Sequence, residues 1–573
     1  MFLASALLAS IAILAPDGAS QPSAIDAALR LVPKGSVAFV LVPNPKAMSD
    51  DLQQCIERMN RPEAAIAGRP IDQLKAMLGV AAAFDDHGPV AVALVPTEGL
   101  NGLQPIALLP ATDPDQFLKG NFTAAPDVAP DAWKAKDGTT LFAKPVGKHV
   151  ALAPSADLVH AYAANDGGPA AIREHLGERA SRLLAKGDVV AWAGPAAMHS
   201  FFDRAASQMD REMPADQPFA AEAKAMRERT RKLLEGAEDG LLVADIDPLG
   251  LSLRTWGRFG PESDLGKVLV GGKDRASTFD HLPQLPFYFA MRMDVQGLGG
   301  LAALEAVLRM MPGEPQLPTW LAASKDGMQG LQFGVYPSKM GIATGGLLND
   351  ALLFVETSDP KAMRAGLHQA VMAMAGESGG LKREPTWTAD KELKSGEVVD
   401  AFEVKESLAT DGKDAKAGDV AIRRLVSQFL YGSRGFVGFV KAGTNGVTMT
   451  FSQRSDVLSR ALATAAGGKS LANDATLAAY RDWLIEGSDV EGFIGVGQFG
   501  KLFQQVAQMV PGGAEATLPE IPTSVEPVAF AFEVDRGTLE SALVIPTGVL
   551  ALFYDQARGQ VLGTGAAGGG AAK

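Results

Sequence analysis

One strand-to-helix unit recurs four times in this 573-residue chain and constrains its fold more than any other feature. Each copy has an apolar strand, a break at Pro, Gly or Asp, and then an amphipathic helix. Because such a helix buries one face, each copy needs a sheet for its helix to cover. The strands and the helices that follow them are Val37–Pro45 with Lys46–Met59, Val189–Pro195 with Met198–Met209, Phe287–Asp294 with Leu301–Met311, and Gly492–Gly497 with Leu502–Val510.

A second recurring unit is a strand that ends at an Asp-Pro pair, first at Asp113–Pro114 and again at Asp359–Pro360. Aspartate at the N-cap accepts hydrogen bonds from free amides, and proline at the next position presets the helical φ. A related Ser/Asp cap closes two further strands, at Ser155–Asp157 and Ser455–Asp456. All four sites predict helix starts.

These units occur in the same order twice along the chain. The first strand-helix unit and the Asp-Pro cap recur about 250 residues later, whereas the Ser/Asp cap and the later strand-helix unit recur after about 300. The difference predicts one insertion in the second copy, near 376–438. We therefore expect two related halves, 21–275 and 280–556, each forming its own domain.

Both halves end in alternating strands joined by tight turns, at 241–253 and 528–540. Such alternation is typical of hairpins, which favours antiparallel sheets over a doubly wound parallel fold. The predicted fold class is α+β, with two related halves, each mainly antiparallel sheet covered by amphipathic helices.

The first 20 residues have the pattern of a secretory signal peptide. Residues 2–15 are apolar and uncharged, and Pro16 and the small residues Gly18, Ala19 and Ser20 follow them. No Lys or Arg precedes the apolar run, and the run is short for a bilayer-spanning helix. We expect cleavage near Ser20 and export to the periplasm, cell envelope or exterior, with a retained anchor as the alternative. The last stretch, 557–573, is rich in Gly and Ala and is expected to be a flexible tail.

Composition excludes some classes of partner and site. The net charge of −13 argues against a nucleic-acid partner, which needs excess Lys and Arg. The basic cluster around 224–232 alternates with glutamates at helical spacing, which is typical of a solvated helix face. The single Cys55 excludes an intrachain disulfide framework and a cysteine-rich zinc site. It lies on an apolar helix stripe, so we expect a buried thiol.

Two segments resemble a known family. The opening Leu31–Val40 (Leu-Val-Pro-Lys-Gly-Ser-Val-Ala-Phe-Val) and the later Leu108–Leu118 (Leu-Leu-Pro-Ala-Thr-Asp-Pro-Asp-Gln-Phe-Leu), together with the signal peptide, are similar to secreted bacterial proteins classed only as a domain of unknown function. The resemblance implies an envelope location and an α+β fold. It implies no activity, cofactor or site residue.

The segment Gly495-Val-Gly-Gln-Phe-Gly500 matches the dinucleotide-binding pattern and follows a strand. The acidic residues of the next strand, Glu533 and Asp535, lie more than 30 positions beyond Gly500, where the pattern expects about 20. The corresponding turns of the other three units read Val-Pro-Asn-Pro, Ala-Gly-Pro-Ala and Met-Asp-Val-Gln, and none has the three-glycine pattern. We therefore interpret these glycines as structural.

Two further motifs match catalytic patterns only in part. Gly376–Gly380 has the spacing of a nucleophile elbow around Ser378, but it follows the expected helix 361–375 and is interpreted as a C-cap and loop. His368, ten positions earlier, lies on that helix. Gly467–Ser470 has the end of a phosphate-binding loop, but Ala463 stands where the first glycine is required.

Histidine and methionine give no stronger candidate. The seven histidines show no pair at metal-binding spacing, and Asp85–His87 and Asp280–His281 lie at Pro-rich turns, where we interpret them as polar loop residues. The methionines of the second half could line an apolar groove, although we favour core positions. We predict no catalytic, cofactor-binding or metal-binding residue. The methionines concerned are Met291, Met293, Met310, Met311, Met363, Met372 and Met374.

Three classes of function stay open. The leading hypothesis is a non-catalytic envelope or secreted protein with a binding or structural role, such as a surface-layer component. One alternative is an exported hydrolase with a carboxylate-based site, because carboxylate pairs assemble only in the fold. Another is a carrier of an apolar ligand between the two halves, since ligand sites favour domain interfaces.

Overall fold

The computed structural model describes residues 22–61, 69–97, 102–165, 167–212, 220–272, 278–301, 305, 327–378, 380–408, 417–452, 454–509 and 521–555. The expected signal peptide 1–20 and the tail 557–573 lie outside these residues. The chain divides into two compact units, Met1–Lys267 with Gly537–Lys573, and Val268–Arg536.

The first unit alternates short helices with strands. Its helices are α1 (Pro22–Arg30), α2 (Pro45–Arg58), α3 (Pro70–Leu78), α4 (Pro114–Asn121), α5 (Ala156–Ala161), α6 (Gly168–Leu184), α7 (Pro195–Glu212) and α8 (Ala220–Glu235), with α9 (Asp264–Val268) at the chain boundary between the units and a final helix at 547–555. Its strands are β1 (Ala38–Val42), β2 (Val90–Pro96), β3 (Leu103–Pro110), β4 (Thr123–Ala124), β5 (Ala132–Lys134), β6 (Thr140–Val146), β7 (His149–Ala153), β8 (Val189–Ala193), β9 (Ala237–Asp247) and β10 (Gly250–Phe259).

One further strand of the first unit comes from the end of the chain. β21 (Thr538–Pro546) pairs with β10 in an antiparallel ladder that runs from Gly250 opposite Pro546 to Arg258 opposite Thr538. The described pairings, all antiparallel, give the strand order β4-β5-β6-β7-β3-β2-β1-β8-β9-β10-β21.

Helices cover both faces of this sheet. On one face, α2, α3 and α4 pack on the strands through Leu52, Ile71 and Phe117. On the other, α1 and α6 pack through Leu29 and Leu183. Strand residues alternate between the two cores, as the twofold side-chain period of a strand requires.

Helices begin at all four predicted sites, but the helices Ala156–Ala161 and Ser455–Ala465 have no side-chain cap hydrogen bond, so only the Asp-Pro caps are confirmed. The side chain of Asn44 accepts a hydrogen bond from the Ala47 amide at the start of α2, and that of Asp113 accepts from the amides of Asp115 and Gln116 at the start of α4. Proline occupies the first helical position in both, where its missing N–H costs nothing.

The second unit has strands β11 (Phe289–Asp294), β12 (Met328–Val335), β13 (Ala351–Thr357), β14 (Gly376–Ser378), β15 (Leu381–Glu392), β16 (Val398–Leu408), β17 (Phe436–Ala442), β18 (Gly446–Thr450), β19 (Val490–Ile494) and β20 (Val528–Asp535). Its helices are α10 (Gly341–Gly345), α11 (Pro360–Met372), α12 (Ala417–Tyr431), α13 (Ser455–Ala465), α14 (Ala475–Arg481) and α15 (Val496–Met509), with a 3-10 turn at Leu471–Asn473. Asp359 caps α11 by accepting from the amides of Lys361 and Ala362.

The strands of the second unit are also antiparallel in every described pairing. Its strand order is β14-β15-β16-β17-β18-β13-β12-β11-β19-β20. Aromatic rings lie over the glycines that face them in the neighbouring strand. A Cβ on Gly492 would meet the ring of its partner Phe530 at 2.2 Å, and one on Gly438 would meet Phe402 at 2.7 Å. Glycine is therefore required at both positions.

A buried ion cluster joins β11 to β19 in this unit. The guanidinium of Arg292 donates from Nε to Glu491 at 2.9 Å, and Arg481 donates from Nε to the other carboxylate oxygen at 2.8 Å. Arg292 also donates to the carbonyl of Ser488 at 3.1 Å. Only 7 % of Arg292 and 5 % of Glu491 are exposed, so these hydrogen bonds replace the lost hydration of the charges.

These observations confirm a mixed α+β fold with extensive antiparallel sheet. They also differ from the predicted limits of the halves. Residues 538–555 were expected in a C-terminal half 280–556, but β21 pairs with β10 and belongs to the first unit. The pairing partner of a strand is set by tertiary contacts, which the local alternation of 528–540 does not encode.

Candidate functional site

An apolar cavity of about 410 Å³ lies on the sheet of the first unit. Its lining comes from β1, β2, β8, β9, β10 and β21, with one residue from α7. Among the described residues, no charged side chain lines it. The lining residues are Ala38, Phe39, Val40, Val92, Leu94, Ala191, Trp192, Ala193, Phe201, Gly240, Leu241, Leu242, Thr255, Trp256, Gly257, Phe259 and Leu539.

The strand register builds the floor of this cavity from small residues. Ala38 of β1 faces Ala193 of β8, Ala193 faces Gly240 of β9, and Gly240 faces Gly257 of β10. Directly paired residues on one face lie side by side, so these four form one row across the strands. We call them the small-residue row. Larger side chains close it at both ends, because Leu94 faces Ala38 and Leu539 faces Gly257.

A parallel row, which contains valine and leucine side chains, flanks the small-residue row. Val40 faces Val92 and Ala191, Ala191 faces Leu242, and Leu242 faces Thr255. Leu242 is 40 % exposed, although leucine is usually buried. The adjacent lining positions Phe39, Leu241 and Trp256 carry side chains that pack in the core of the opposite face.

The cavity exists because helices cover this face only in part. Helices α2, α3 and α4 pack at one end of the strands, over residues such as Val42 and Val189. Across the other end runs α7, where Met198 lies close enough that a Cβ on Gly240 would be 3.2 Å from its Sδ. Phe201, one turn further along α7, lines the cavity. The space between the small-residue row and α7 therefore stays unfilled.

The shape of the cavity follows from sheet geometry. Neighbouring strands lie about 4.8 Å apart, so the small-residue row spans about 14 Å between Ala38 and Gly257. Residues on the same face of one strand are about 7 Å apart, which sets the width between the flanking side chains. A long, narrow and carbon-lined space suits a linear hydrocarbon chain better than a polar or branched molecule.

A buried aspartate holds the strands beneath the cavity. The Trp192 indole donates from Nε1 to the Asp239 carboxylate at 3.0 Å, and His175 Nε2 lies 2.8 Å from the same oxygen. Arg258 donates to the other carboxylate oxygen. Asp239 is 1 % exposed. This cluster fixes β8, β9 and β10 in register, and its charged side chains lie outside the lining of the cavity.

The sequence motif Gly495–Gly500 lies where expected, between β19 and α15, and its glycines have packing roles. A Cβ on Gly497 would meet the carbonyl of Pro522 at 2.6 Å, and one on Gly500 would meet Ile521 at 2.5 Å. A Cβ on Gly495 would lie 2.0 Å from the carbonyl of Phe287. Packing thus explains all three glycines. The Phe287 carbonyl lies against Gly495, and a chain segment that crosses the first turn of α15 lies against the other two.

The other two motifs also have structural explanations. Gly376–Ser378 was expected to be a loop but forms β14, whose residues pair with Leu381–Arg383. The sequence did not predict this short strand, because glycines are typical of loops and because the strand depends on hydrogen bonds from its partner β15. Gly467, with φ +98°, follows α13 as expected, and the amide of Gly468 donates to the Ala463 carbonyl.

The histidines and acidic turns do not converge on a metal site in the described part of the chain, where no group of three or more His, Cys, Asp or Glu could hold one. Asp85 accepts from the His87 amide at 3.1 Å, and Asp86 pairs with Lys75 at 2.6 Å. His281 stacks on Phe354 with ring centroids 3.4 Å apart, and burial lowers its pKa.

Cys55 is buried as predicted, but only some of the methionines predicted to lie in the core are buried. Cys55 is 1 % exposed, as its helix stripe predicted, and burial raises the pKa of its thiol. Met293 and Met363 are buried, whereas Met372 and Met374 are each 39 % exposed and do not belong to the core. Met310 and Met311 lie outside the described residues.

Two further cavities bear on the hydrolase hypothesis. One of about 120 Å³ in the first unit has Asp137 in its lining, and one of about 410 Å³ in the second unit has Asp350. Among the described residues, one carboxylate lines each of these two cavities, and none lines the apolar cavity. A glycosidase-type mechanism uses two carboxyl groups within about 10 Å. None of these three cavities supplies that pair.

Sequence reasoning missed the apolar cavity. Its floor combines positions 38, 193, 240 and 257, which come together only through the register of four strands. The alternating alanines of Val189–Ala193 were the local signal, since alanine at every second position leaves one face of a strand nearly flat.

Within the described ranges, no helix has both the length and the apolar character needed to cross a bilayer.

No protein-family model matches the chain, and no curated protein matches it. Among solved structures, the chain is similar to one reported as "Structure of crystal form I of TP0453". The identity is 10 %, the TM-score is 0.22, and the alignment covers 49 % of this chain and 96 % of that one. A TM-score of this size does not define a shared fold.

Proposed function

We propose that the protein is a non-catalytic binding protein whose first unit holds a linear hydrocarbon chain in the apolar cavity. The observation that carries the proposal is the small-residue row. It leaves an uncharged cavity of about 410 Å³ open on a sheet that helices otherwise cover. Pockets of a few hundred Å³ with apolar walls are typical ligand sites.

The free energy that the empty cavity costs the fold supports the proposal that a ligand fills it. Apolar surface at Leu242 stays partly in water, and the side chains around the cavity lose packing partners on one side. A larger side chain at Ala193 would fill the space and restore those packing contacts. A bound hydrocarbon chain would supply the same contacts and could still dissociate.

We further propose that the two units arose by duplication. The proposal is supported by strand order, because β5-β6-β7-β3-β2-β1-β8-β9 of the first unit matches β16-β17-β18-β13-β12-β11-β19-β20 of the second. The expected insertion near 376–438 then includes α12, since the first unit has no helix between β5 and β6.

Comparison by register supports a hydrocarbon site at this position of the sheet in the first unit and not at the corresponding position in the second. Phe289 faces Ile494, and Ile494 faces Val528, at the positions that correspond to Ala38, Ala193 and Gly240. The Phe289 ring also contacts Phe333 and Phe530, with centroids 6.3 and 6.1 Å away. Large side chains occupy in one unit the space that small residues leave open in the other.

Export is a separate part of the proposal. The apolar run 2–15 and the small residues at 18–20 favour removal of a signal peptide and action in the periplasm, envelope or exterior. Mass spectrometry of protein from fractionated cells would test this. The expected mature N-terminus is near Gln21, and an uncleaved cytoplasmic chain would contradict it.

A neutral fluorophore tests the cavity directly. N-phenyl-1-naphthylamine should bind the full-length protein and be displaced by 1-decanol. Ala193→Phe should weaken binding by about tenfold or more, because the ring fills the row and removes apolar contact area. The matched control is Ala205→Phe, an exposed position on α7 that does not line the cavity, and it should bind as the wild type does. Equal affinity of Ala193→Phe and wild type would refute the proposal.

A further inference from the structure

We propose that the second unit has its own binding site, for an organic anion with an apolar body. The site is the cavity of about 410 Å³ between the segment before β11, the start of β13, α13 and α15. It does not depend on the apolar cavity of the first unit.

Cationic side chains from three elements border this cavity. Lys339 follows β12, Arg460 lies on α13, and Lys501 lies on α15. In the described part of the chain, neither Lys339 nor Lys501 is ion-paired, and both are exposed. A local excess of positive charge is notable in a chain of net charge −13. It attracts an anion.

The acidic groups at this site are already compensated. Asp456 forms ion pairs with Arg454 and Arg460, each at 2.5 Å, and Arg454 holds the pKa of Asp456 down to about 2. Asp350 accepts from Asn349 Nδ2 at 3.0 Å and from the Ser452 hydroxyl at 3.3 Å, and Arg454 lies 3.8 Å away. The two lysines therefore remain available to a ligand.

The walls between the charges are apolar. Leu285, Pro286 and Val457 line the cavity, and Pro337 lies beside Lys339. The Tyr336 hydroxyl donates to the Pro283 carbonyl at 3.3 Å, which fixes the ring as part of the wall. A carboxylate, sulfonate or phosphate attached to an apolar group matches this lining, whereas a bare inorganic ion would leave the apolar walls without contacts.

Two probes that differ by one sulfonate isolate the charge. 1-Anilinonaphthalene-8-sulfonate has the rings of N-phenyl-1-naphthylamine plus one negative charge. In full-length Lys339→Ala/Lys501→Ala, the Kd of the anionic probe should rise about tenfold, because two charge contacts are lost. The Kd of the neutral probe should stay within about twofold of the wild-type value. Lys339→Arg/Lys501→Arg should retain binding of the anionic probe.

The control is Lys361→Ala/Lys394→Ala, which removes two exposed lysines that do not line the cavity. It should leave the Kd of both probes unchanged. Octyl phosphate should displace the anionic probe at concentrations where inorganic phosphate does not. An unchanged Kd for the anionic probe in Lys339→Ala/Lys501→Ala would overturn the proposal, as would an equal loss of both probes. Either result leaves the Ala193→Phe test of the first unit intact.

Discussion

Replacing Glu491 by glutamine should strongly destabilise the second unit. The carboxylate of Glu491 lies between two guanidinium groups and accepts from Arg292 Nε at 2.9 Å and from Arg481 Nε at 2.8 Å. Glutamine keeps the shape of the side chain but removes the charge. Arg292, of which 7 % is exposed, would then hold a positive charge with no anion beside it.

The magnitude follows from the burial of the pair. Removing one partner of a buried ion pair typically costs about 3–5 kcal/mol, because the other charge stays buried without compensation. The glutamine amide still accepts one hydrogen bond, so we expect the lower end, about 3 kcal/mol. For a unit of this size, that corresponds to a fall in Tm of about 6–12 °C.

Thermal unfolding followed by circular dichroism measures this shift. The matched control is Glu384→Gln, which removes the exposed ion pair of Glu384 with Lys382 and should change the Tm by less than about 2 °C. The double variant Arg292→Leu/Glu491→Val, which copies the facing pair Leu41 and Val190 of the first unit, should be less destabilised than Glu491→Gln. A Glu491→Gln protein that melts with the wild type would refute the reasoning.

Three further outcomes are expected. Cys55 should not react with Ellman's reagent until the protein is denatured, because the thiol is 1 % exposed and burial raises its pKa; rapid reaction of the native protein would contradict this. Burial raises the pKa of Tyr162 to about 12, so the contribution of this raised pKa to stability is complete below pH 10 and is lost as the pH rises towards 12. The free energy of unfolding in urea should therefore depend less on pH in Tyr162→Phe than in the wild type between about pH 10 and 12. Identical pH dependence of the two proteins would argue against this. Gly492→Ala should lower the free energy of unfolding in urea by about 1–3 kcal/mol, since its Cβ would meet the Phe530 ring. Adding Phe530→Leu should restore part of that free energy. An unchanged free energy of unfolding in Gly492→Ala would contradict the described packing.

Local signals predicted the parts of the fold that local chemistry determines. The capping residues Asp113 and Asp359 start helices as their Asp-Pro pairs indicated, because the cap and the proline act within one turn. The alternation of residues 241–253 predicted antiparallel pairing, and β9 pairs with β10 in that way. These features depend on neighbours a few residues away.

Features that depend on distant contacts could not be predicted. The partner of β21 is β10, nearly 300 residues earlier, and nothing in the alternation of 538–546 specifies it. The glycines of Gly495–Gly500 matched a cofactor pattern, but close contacts with Phe287 and with the segment Ile521–Thr523 explain them. The apolar cavity depends on the register of four strands. The alternating alanines of β8 indicate one flat strand face, but they do not indicate which strands lie beside it.

A crystal structure with a halogenated hydrocarbon tests the central claim most directly. Crystals of the full-length protein soaked with 1-bromodecane should give an anomalous peak beside the small-residue row, between Ala193 and Phe201. The peak should be absent from crystals of Ala193→Phe. Bromine at other places only, or side chains of α7 filling the cavity in the unsoaked crystal, would contradict the proposal that the first unit binds a hydrocarbon chain.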